Sequence, residues 1–281
     1  MRLRSLLFVP GDRPDRMRKA LGTGVDALIL DLEDSVTPVR KDAARAAVVE
    51  MLGQDRGGVP LFVRINPLNS AHADEDLAAI AGARPDGVVL PKAEGAASLS
   101  ALDQKLTMLG DAAALILPIV TETPAAMFRL GEYGAVTPRL AGLTWGAEDL
   151  PTAVGAATAR DEQGHYTGPY EIARSLTLFG AAAAGVAAIE TVFPDFRDLE
   201  GLELYARRGA RDGFTGMLAI HPAQIAPINA AFTPTPDALA EARAIVAAFE
   251  RNPDAGALAI DGRMVDAPHL ERARRILAAG A

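Results

Sequence analysis

The sequence predicts an α/β protein folded as a (β/α)8 barrel with a small C-terminal tail of helix and hairpin. Two observations lead there. Apolar runs of about four to eight residues alternate with longer stretches of helical spacing, as successive βα units require. The runs are also apolar on both faces, as strands of a buried parallel barrel must be. An open doubly wound sheet fits less well, because no GxGxxG follows the first run. A single core is within reach of 281 residues, since a chain of that size buries roughly three quarters of its unfolded surface.

The first strand is expected over residues 3–9, followed by a helix over 13–21. The second spans 26–32 and ends in LEDSV, with its helix over 41–52. The third covers 60–65 with a helix over 74–81, and the fourth 87–90 with a helix over 98–109. The fifth, 114–120, runs into TETP and a helix reaching 130. The sixth, 140–145, ends in GAEDL, and an insertion-like stretch (TARDEQGHYTGP) separates it from a helix over 170–184. The seventh covers 187–192 with a helix over 199–209; the eighth covers 217–220, ends in IHP and precedes a short helix near 224–232.

Residues 1–232 therefore read as the barrel, and TPTPD at 233–237 is a breaker cluster that opens a different region. There, 238–250 is Ala-rich and helical, a hairpin is centred on Asp261-Gly262, and a last helix covers 269–279. The tail, 233–281, is too small to fold alone and is expected to pack on the barrel or on a neighbouring subunit.

Composition removes several classes of function. With no cysteine there are no disulfides, thiolate zinc sites or cysteine nucleophiles. A net charge of -8 with mixed signs argues against nucleic acid as a partner, though a few placed cations can still hold an anionic cofactor. The apolar run at 5–10 is too short for a signal sequence, and no run approaches the roughly 18 apolar residues of a membrane span. A cytoplasmic protein without membrane contact is expected.

Chemistry in such barrels gathers at the carboxyl ends of the strands. Those ends carry Asp31, Glu33, Asp34, Arg64, Lys92, Glu122, Glu148, Asp149 and His221, a polar pocket rich in carboxylates. Glu122 and Asp149 come from adjacent strands and face a common point, where two unpaired carboxylates would repel. A hard cation relieves that repulsion, and Mg²⁺ commonly takes one or two carboxylates plus water and substrate oxygens. Spacing alone allows each to cap a helix instead. Arg64 suits a substrate carboxylate or a thioester enolate oxygen, or a salt bridge to Glu33 or Asp34. Arg13 and Lys19 follow the first strand, where they can meet a pyrophosphate or form a solvated face with Asp12 and Asp15. Lys92 reads as an ion-pairing lysine, His221 as a hydrogen-bonded support and Trp145 as packing.

LLFVPGDRPDRMRKAL, DALILDLEDSV, VRIN, LPKAE, TETP, GAEDLPTA, AIHPAQ and DGRMVDAP, in this order over nearly the whole chain, resemble the citrate lyase β-subunit-like family. That family includes the malyl-CoA and citramalyl-CoA lyases, within the HpcH/HpaI aldolase superfamily. The resemblance implies Mg²⁺ ligands at Glu122 and Asp149, a substrate-binding arginine at Arg64, and coenzyme A contacts at Phe8, Arg13 and Lys19. It also implies an acid/base at Asp266 that reaches a neighbouring subunit's site, with Asp261 a nearby competitor, in a homotrimer or homohexamer. The implied reaction is Mg²⁺-dependent cleavage of citryl-, citramalyl- or malyl-CoA to acetyl-CoA and a 2-oxo acid, or the reverse condensation. Alternatives are an acyl-CoA thioesterase on the same scaffold, a CoA-independent aldolase, and a partner-dependent subunit of a citrate lyase complex.

Overall fold

The computed structural model describes residues 1–260 and 262–280. Eight parallel strands form one sheet: β1 (Ser5–Pro10), β2 (Ala27–Asp31), β3 (Leu61–Arg64), β4 (Gly87–Leu90), β5 (Leu115–Pro118), β6 (Gly142–Thr144), β7 (Ala187–Glu190) and β8 (Gly216–Ala219). Their order is β5-β4-β3-β2-β1-β8-β7-β6. The ring closes through single bridges between Ile116 and Leu140 and between Ile119 and Thr144, giving the (β/α)8, or TIM, barrel expected. Between the strands run α1 (Pro14–Leu21), α2 (Lys41–Leu52), α3 (Ala73–Ala81), α4 (Gly95–Met108), α5 (Asp149–Val154), α6 (Gly168–Ala184), α7 (Leu199–Asp212) and α8 (Ile225–Ala231).

Helix limits follow local chemistry. Pro14 opens α1 at a position where a missing N–H costs nothing, and Lys19 sits in its last turn, favourable to the helix dipole. Asp198 caps α7 by accepting from the Gly201 amide at 2.9 Å. Gly185, left-handed at φ 70, ends α6 and turns the chain into β7.

Two segments depart from the sequence reading. The helix expected after the fifth strand is absent; only a 3-10 turn at Ala126–Phe128 forms there. Pro124, Gly131, Gly134 and Pro138 interrupt residues 121–139, leaving no stretch long enough to offset helix nucleation. The stretch after the sixth strand is not wholly irregular: α5 begins at Asp149, and Arg160 pairs with Tyr166 before α6.

Leu6, Ala27, Ile29, Phe62, Val89, Leu117, Ile119, Ile189 and Leu218 form a buried cluster drawn from seven sheet-lining segments of the barrel. Its packing is complementary: a Cβ on Gly87 would strike the Phe62 ring, so the largest side chain of the cluster fills the space that the glycine leaves. The chain divides into Met1–Asn229 and Ala230–Ala281. The second unit contains α9 (Pro236–Arg251), the antiparallel hairpin of β9 (Ala257–Ile260) and β10 (Arg263–Asp266), and α10 (Ala267–Ala279), which packs on α9. Among the described residues no helix is long and apolar enough to cross a membrane.

Phe62→Ala is expected to reduce the unfolding free energy by about 3–5 kcal/mol, read from urea denaturation. A loss well under about 1 kcal/mol would mean that the interior collapses around the missing ring.

Candidate active site

Asp31 and Arg64 are register partners, each the last residue of its strand. The Arg64 fork closes on the Asp31 carboxylate, Nε to Oδ1 and Nη2 to Oδ2, both at 2.7 Å. Its third nitrogen lies 2.9 Å from Glu33 Oε2 and 3.5 Å from Asp34 Oδ2. The Glu33 contact is an ion pair out of hydrogen-bonding line, since that buried oxygen has no hydrogen-bond partner. The guanidinium carbon stands 4.8 Å from the centre of the Phe8 ring, a cation–π contact. Burial pushes the Asp31 carboxyl up, but the charge and hydrogen bonds of Arg64 outweigh it and hold the carboxyl below its ordinary range. For Glu33 burial wins over Arg64 and Lys92, aided by the charge of Asp34, and its carboxyl titrates above the ordinary range.

Lys92 links the second group. Its Nζ donates to Glu33 Oε1 at 3.0 Å and lies 3.5 Å from Asp149 Oδ1, while its backbone N–H donates to Glu122 Oε2 at 2.6 Å. That amide points at Glu122 because Lys92 adopts φ 50, a left-handed conformation that costs a non-glycine residue roughly 1–3 kcal/mol. Glu122 is buried, and burial, reinforced by the charges of Glu33 and Asp149, pushes its carboxyl up to about 8 against the Lys92 hydrogen bond. A Cβ on Gly146 would come within 2.8 Å of Glu122 Cγ, so the glycine of GAEDL lets that side chain lie flat against the end of β6. Asp149 is the first residue of α5, and the residue before it, Glu148, makes no side-chain capping hydrogen bond at the helix start.

Phe8, Arg64, Glu122 and Asp149 thus fall within one network of contacts through Glu33 and Lys92. Arg13 and Lys19 sit on and just before α1: Arg13 Nε is 3.4 Å from Asp15 Oδ1, and Lys19 is exposed. Asp266 lies in the C-terminal unit at the start of α10, with Oδ1 at 2.5 Å from His269 Nδ1; that hydrogen bond holds its carboxyl below the ordinary range. Asp261 lies outside the described residues. Lys92 is the ion-pairing lysine expected. His221 Nδ1 accepts from the Ala223 amide at 3.2 Å and its ring stacks on Phe196 at 4.7 Å. Trp145 is fully buried and donates from Nε1 to Glu190 Oε1 at 2.5 Å.

Sequence reasoning missed two groups. Arg64 makes the salt bridges to Glu33 and Asp34 that the sequence offers, but its closest partner is Asp31, which strand register sets beside it. The buried Glu190, which accepts from Arg174 Nε at 2.7 Å and from the Tyr205 hydroxyl at 3.0 Å, went unremarked. Its only signal was an acidic residue closing the apolar run AAIE.

No group of three or more His, Asp or Glu side chains disposed to hold a metal ion occurs among the described residues. Glu122 and Asp149 both contact Lys92, one at its backbone amide and one at its Nζ, in a pocket where carboxylate charge exceeds its local cations. That donor set, all oxygen, fits a hard divalent cation that takes its other ligands from water or substrate.

A parallel barrel whose strand ends gather carboxylates, one clamped arginine and a strained lysine has the layout of a barrel enzyme. The chain belongs to the HpcH/HpaI aldolase/citrate lyase family, whose model matches residues 4–222. It is similar to an L-malyl-CoA/beta-methylmalyl-CoA lyase of Cereibacter sphaeroides, 34% identical over 98% of this chain and 93% of that protein. A (3S)-malyl-CoA thioesterase of the same species is likewise 34% identical over 98% and 93%. Among solved structures, CitE of Mycobacterium tuberculosis in complex with magnesium, acetoacetate and coenzyme A superposes with a TM-score of 0.83. That match has 36% identity and covers 99% of this chain and 97% of the other.

Asp31 has a folded-state pKa below its unfolded value, so its contribution to stability is present above about pH 4 and is lost as pH falls through the folded value. Asp31→Asn, which strands a buried guanidinium, is expected to cost about 3–5 kcal/mol at pH 7 and less at pH 3, measured by urea titration. Equal losses at both pH values would contradict the ionic pairing.

Proposed function

We propose that the protein is a Mg²⁺-dependent acyl-CoA carbon–carbon lyase, cleaving a 3-hydroxy-carboxyacyl-CoA to acetyl-CoA and a 2-oxo acid, or running the reverse condensation. The observation that carries this reading is the meeting of Glu122 and Asp149 at Lys92, next to the Arg64 cluster. Family membership and the ligands named with the CitE structure support it.

Glu122 and Asp149 would hold the cation, whose chemistry is Lewis-acid polarisation of the substrate's carboxylate and hydroxyl oxygens. The chain's own residues do the rest. Phe8, Arg13 and Lys19 hold the coenzyme A portion, the cations meeting its phosphates. Arg64 keeps its positive charge under all working conditions, since Asp31 and Glu33 raise its pKa against burial. Fixed in place by Asp31, it stabilises negative charge on the thioester oxygen without reorganising. As the substrate hydroxyl gives up its proton to solvent water, the bond between the α- and β-carbons breaks. The electron pair passes to the thioester as an enolate and the former carbinol carbon becomes the ketone of the 2-oxo acid. Asp266, after taking a proton from solvent, delivers it to the enolate carbon and is left as the carboxylate; in condensation it removes that proton. His269, whose Nδ1 lies 2.5 Å from Asp266 Oδ1, fixes the position of this carboxylate.

The reading extends to a cytoplasmic homotrimer or homohexamer in which Asp266, carried by the C-terminal unit, serves a neighbouring subunit's site. Purified protein assayed with citryl-, citramalyl- and malyl-CoA is expected to release acetyl-CoA together with oxaloacetate, pyruvate or glyoxylate from one of them, and to stop in EDTA. Release of free malate or citramalate with coenzyme A would replace the lyase by a thioesterase. Glu122→Gln or Asp149→Asn should lower turnover by about 10²-fold or more while the melting temperature is kept. Full activity of either in EDTA would remove the metal assignment. Mixed Asp266→Ala and Glu122→Gln subunits should regain part of the activity that each lacks. No recovery after verified exchange would place Asp266 outside the neighbour's chemistry.

A further inference from the structure

The two proposed cation ligands come from strands whose mutual pairing is the weakest in the barrel. β5 and β6 share no continuous ladder, only the bridges Ile116–Leu140 and Ile119–Thr144. The last backbone bond across this seam runs from the Val120 amide to the Thr144 carbonyl at 2.9 Å. Beyond it the two chains carry Glu122 and Asp149 and need another tie if the carboxylates are to keep a fixed separation.

That tie is a side chain. The Thr121 hydroxyl donates to the Gly146 carbonyl at 3.0 Å and accepts from the Gly146 amide at 3.1 Å. One hydroxyl thus serves both the donor and the acceptor of the same residue, extending the ladder by a step after the backbone has parted. Thr121 is fully buried, so water has no access to replace it. Its chain neighbour is Glu122, and Gly146 is the residue against which Glu122 lies. On the other side of β6, Trp145 is tied to Glu190, which also accepts from the Thr191 amide at 3.0 Å. The end of β6 is therefore gripped from β5 by Thr121 and from β7 by Glu190, and Asp149 starts α5 just beyond the grip.

We propose that Thr121 is a positioning residue: through Gly146 it sets the separation of Glu122 and Asp149, and so the affinity of the pair for a divalent cation. The inference rests on the metal assignment made above. Groups that orient the ligands of a metal site typically contribute 10–100-fold to affinity. A hydroxyl in this position is not replaceable by shape alone.

The test is a Mg²⁺ titration of the whole protein by calorimetry, with the fluorescence of Trp145, the single tryptophan, as a second readout. Thr121→Val keeps the shape and removes the hydroxyl; Thr121→Ser keeps the hydroxyl. Thr121→Val should bind Mg²⁺ about ten- to a hundredfold more weakly, and Thr121→Ser should recover most of the loss. A purely structural role would lower the melting temperature of Thr121→Val without this selective loss of Mg²⁺ at a temperature where the variant is folded. Wild-type affinity in folded Thr121→Val overturns the proposal. If that variant does not fold, Thr121→Ala, which removes the same hydroxyl with less bulk, is titrated instead; calorimetry should then show weakened Mg²⁺ binding, and unchanged binding overturns the proposal. Glu122→Gln separates the two failures: if it binds Mg²⁺ as wild type does, the metal assignment is what has failed.

Discussion

Buried carboxylates crowd the carboxyl end of this barrel, and the pairing of Arg64 with Asp31 is what makes the crowding tolerable. An isolated carboxylate buried at Asp31 would cost many kcal/mol or take up a proton. The two strand ends instead set a planar fork against a planar acceptor at 2.7 Å on both arms. Lysine could not replace the arginine there, because a point charge cannot satisfy two oxygens and still face Glu33. Lys41 performs the matching service for the backbone that follows, donating to the carbonyls of Leu32 and Glu33 at 2.6 and 2.8 Å. The buried charges of LDLED, Asp31 and Glu33, are therefore held away from water, while Asp34 stays exposed.

With Asp31 neutralised, the unmatched charge is displaced to Glu122. Its contacts are a backbone N–H from Lys92 and the repulsion of Glu33 and Asp149, whereas Asp31 has a whole guanidinium. The barrel thus keeps one carboxylate satisfied and leaves another in want of positive charge. A second network, Glu190 and Asp212 on Arg174, extends through Arg208 and Arg211 at Asp212 to Glu171, and sets three guanidiniums against three carboxylates with no such deficit. The contrast separates a charge-balanced network from a carboxylate left short of positive charge.

Much of the architecture was readable from the chain. Strands that bury both faces leave unbroken apolar runs, so LLFV, ALIL and GVVL announced themselves, and the polar residues closing each run marked the functional end. What could not be read was which strand-end charge meets which. Asp31 and Arg64 are joined by register, and Glu190 and Trp145 by the curvature that brings β6 beside β7; neither relation has a period in the sequence. The role of Lys92 was visible as ion pairing, but its left-handed backbone, which aims an amide at Glu122, was not, because lysine carries no propensity for that conformation.

The helix missing after β5 has a physical counterpart in the site. Residues 121–139, broken by proline and glycine, do not form the helix that the barrel repeat calls for, and the irregular path they take delivers two side chains to the turn after β4. Tyr133, fully buried, accepts from the Gly95 amide at 2.9 Å and donates to the Ala93 carbonyl at 3.1 Å. Thr123 donates to Glu94 Oε1 at 2.7 Å. Together they brace residues 93–95, immediately after the strained Lys92. A regular helix at this point would present its side chains at fixed intervals along one face and leave its backbone donors internally paired. The irregular segment instead places a phenol and a hydroxyl where the turn needs them. Strain at Lys92 persists only if its surroundings over-determine it, and the departure from the βα repeat supplies that constraint.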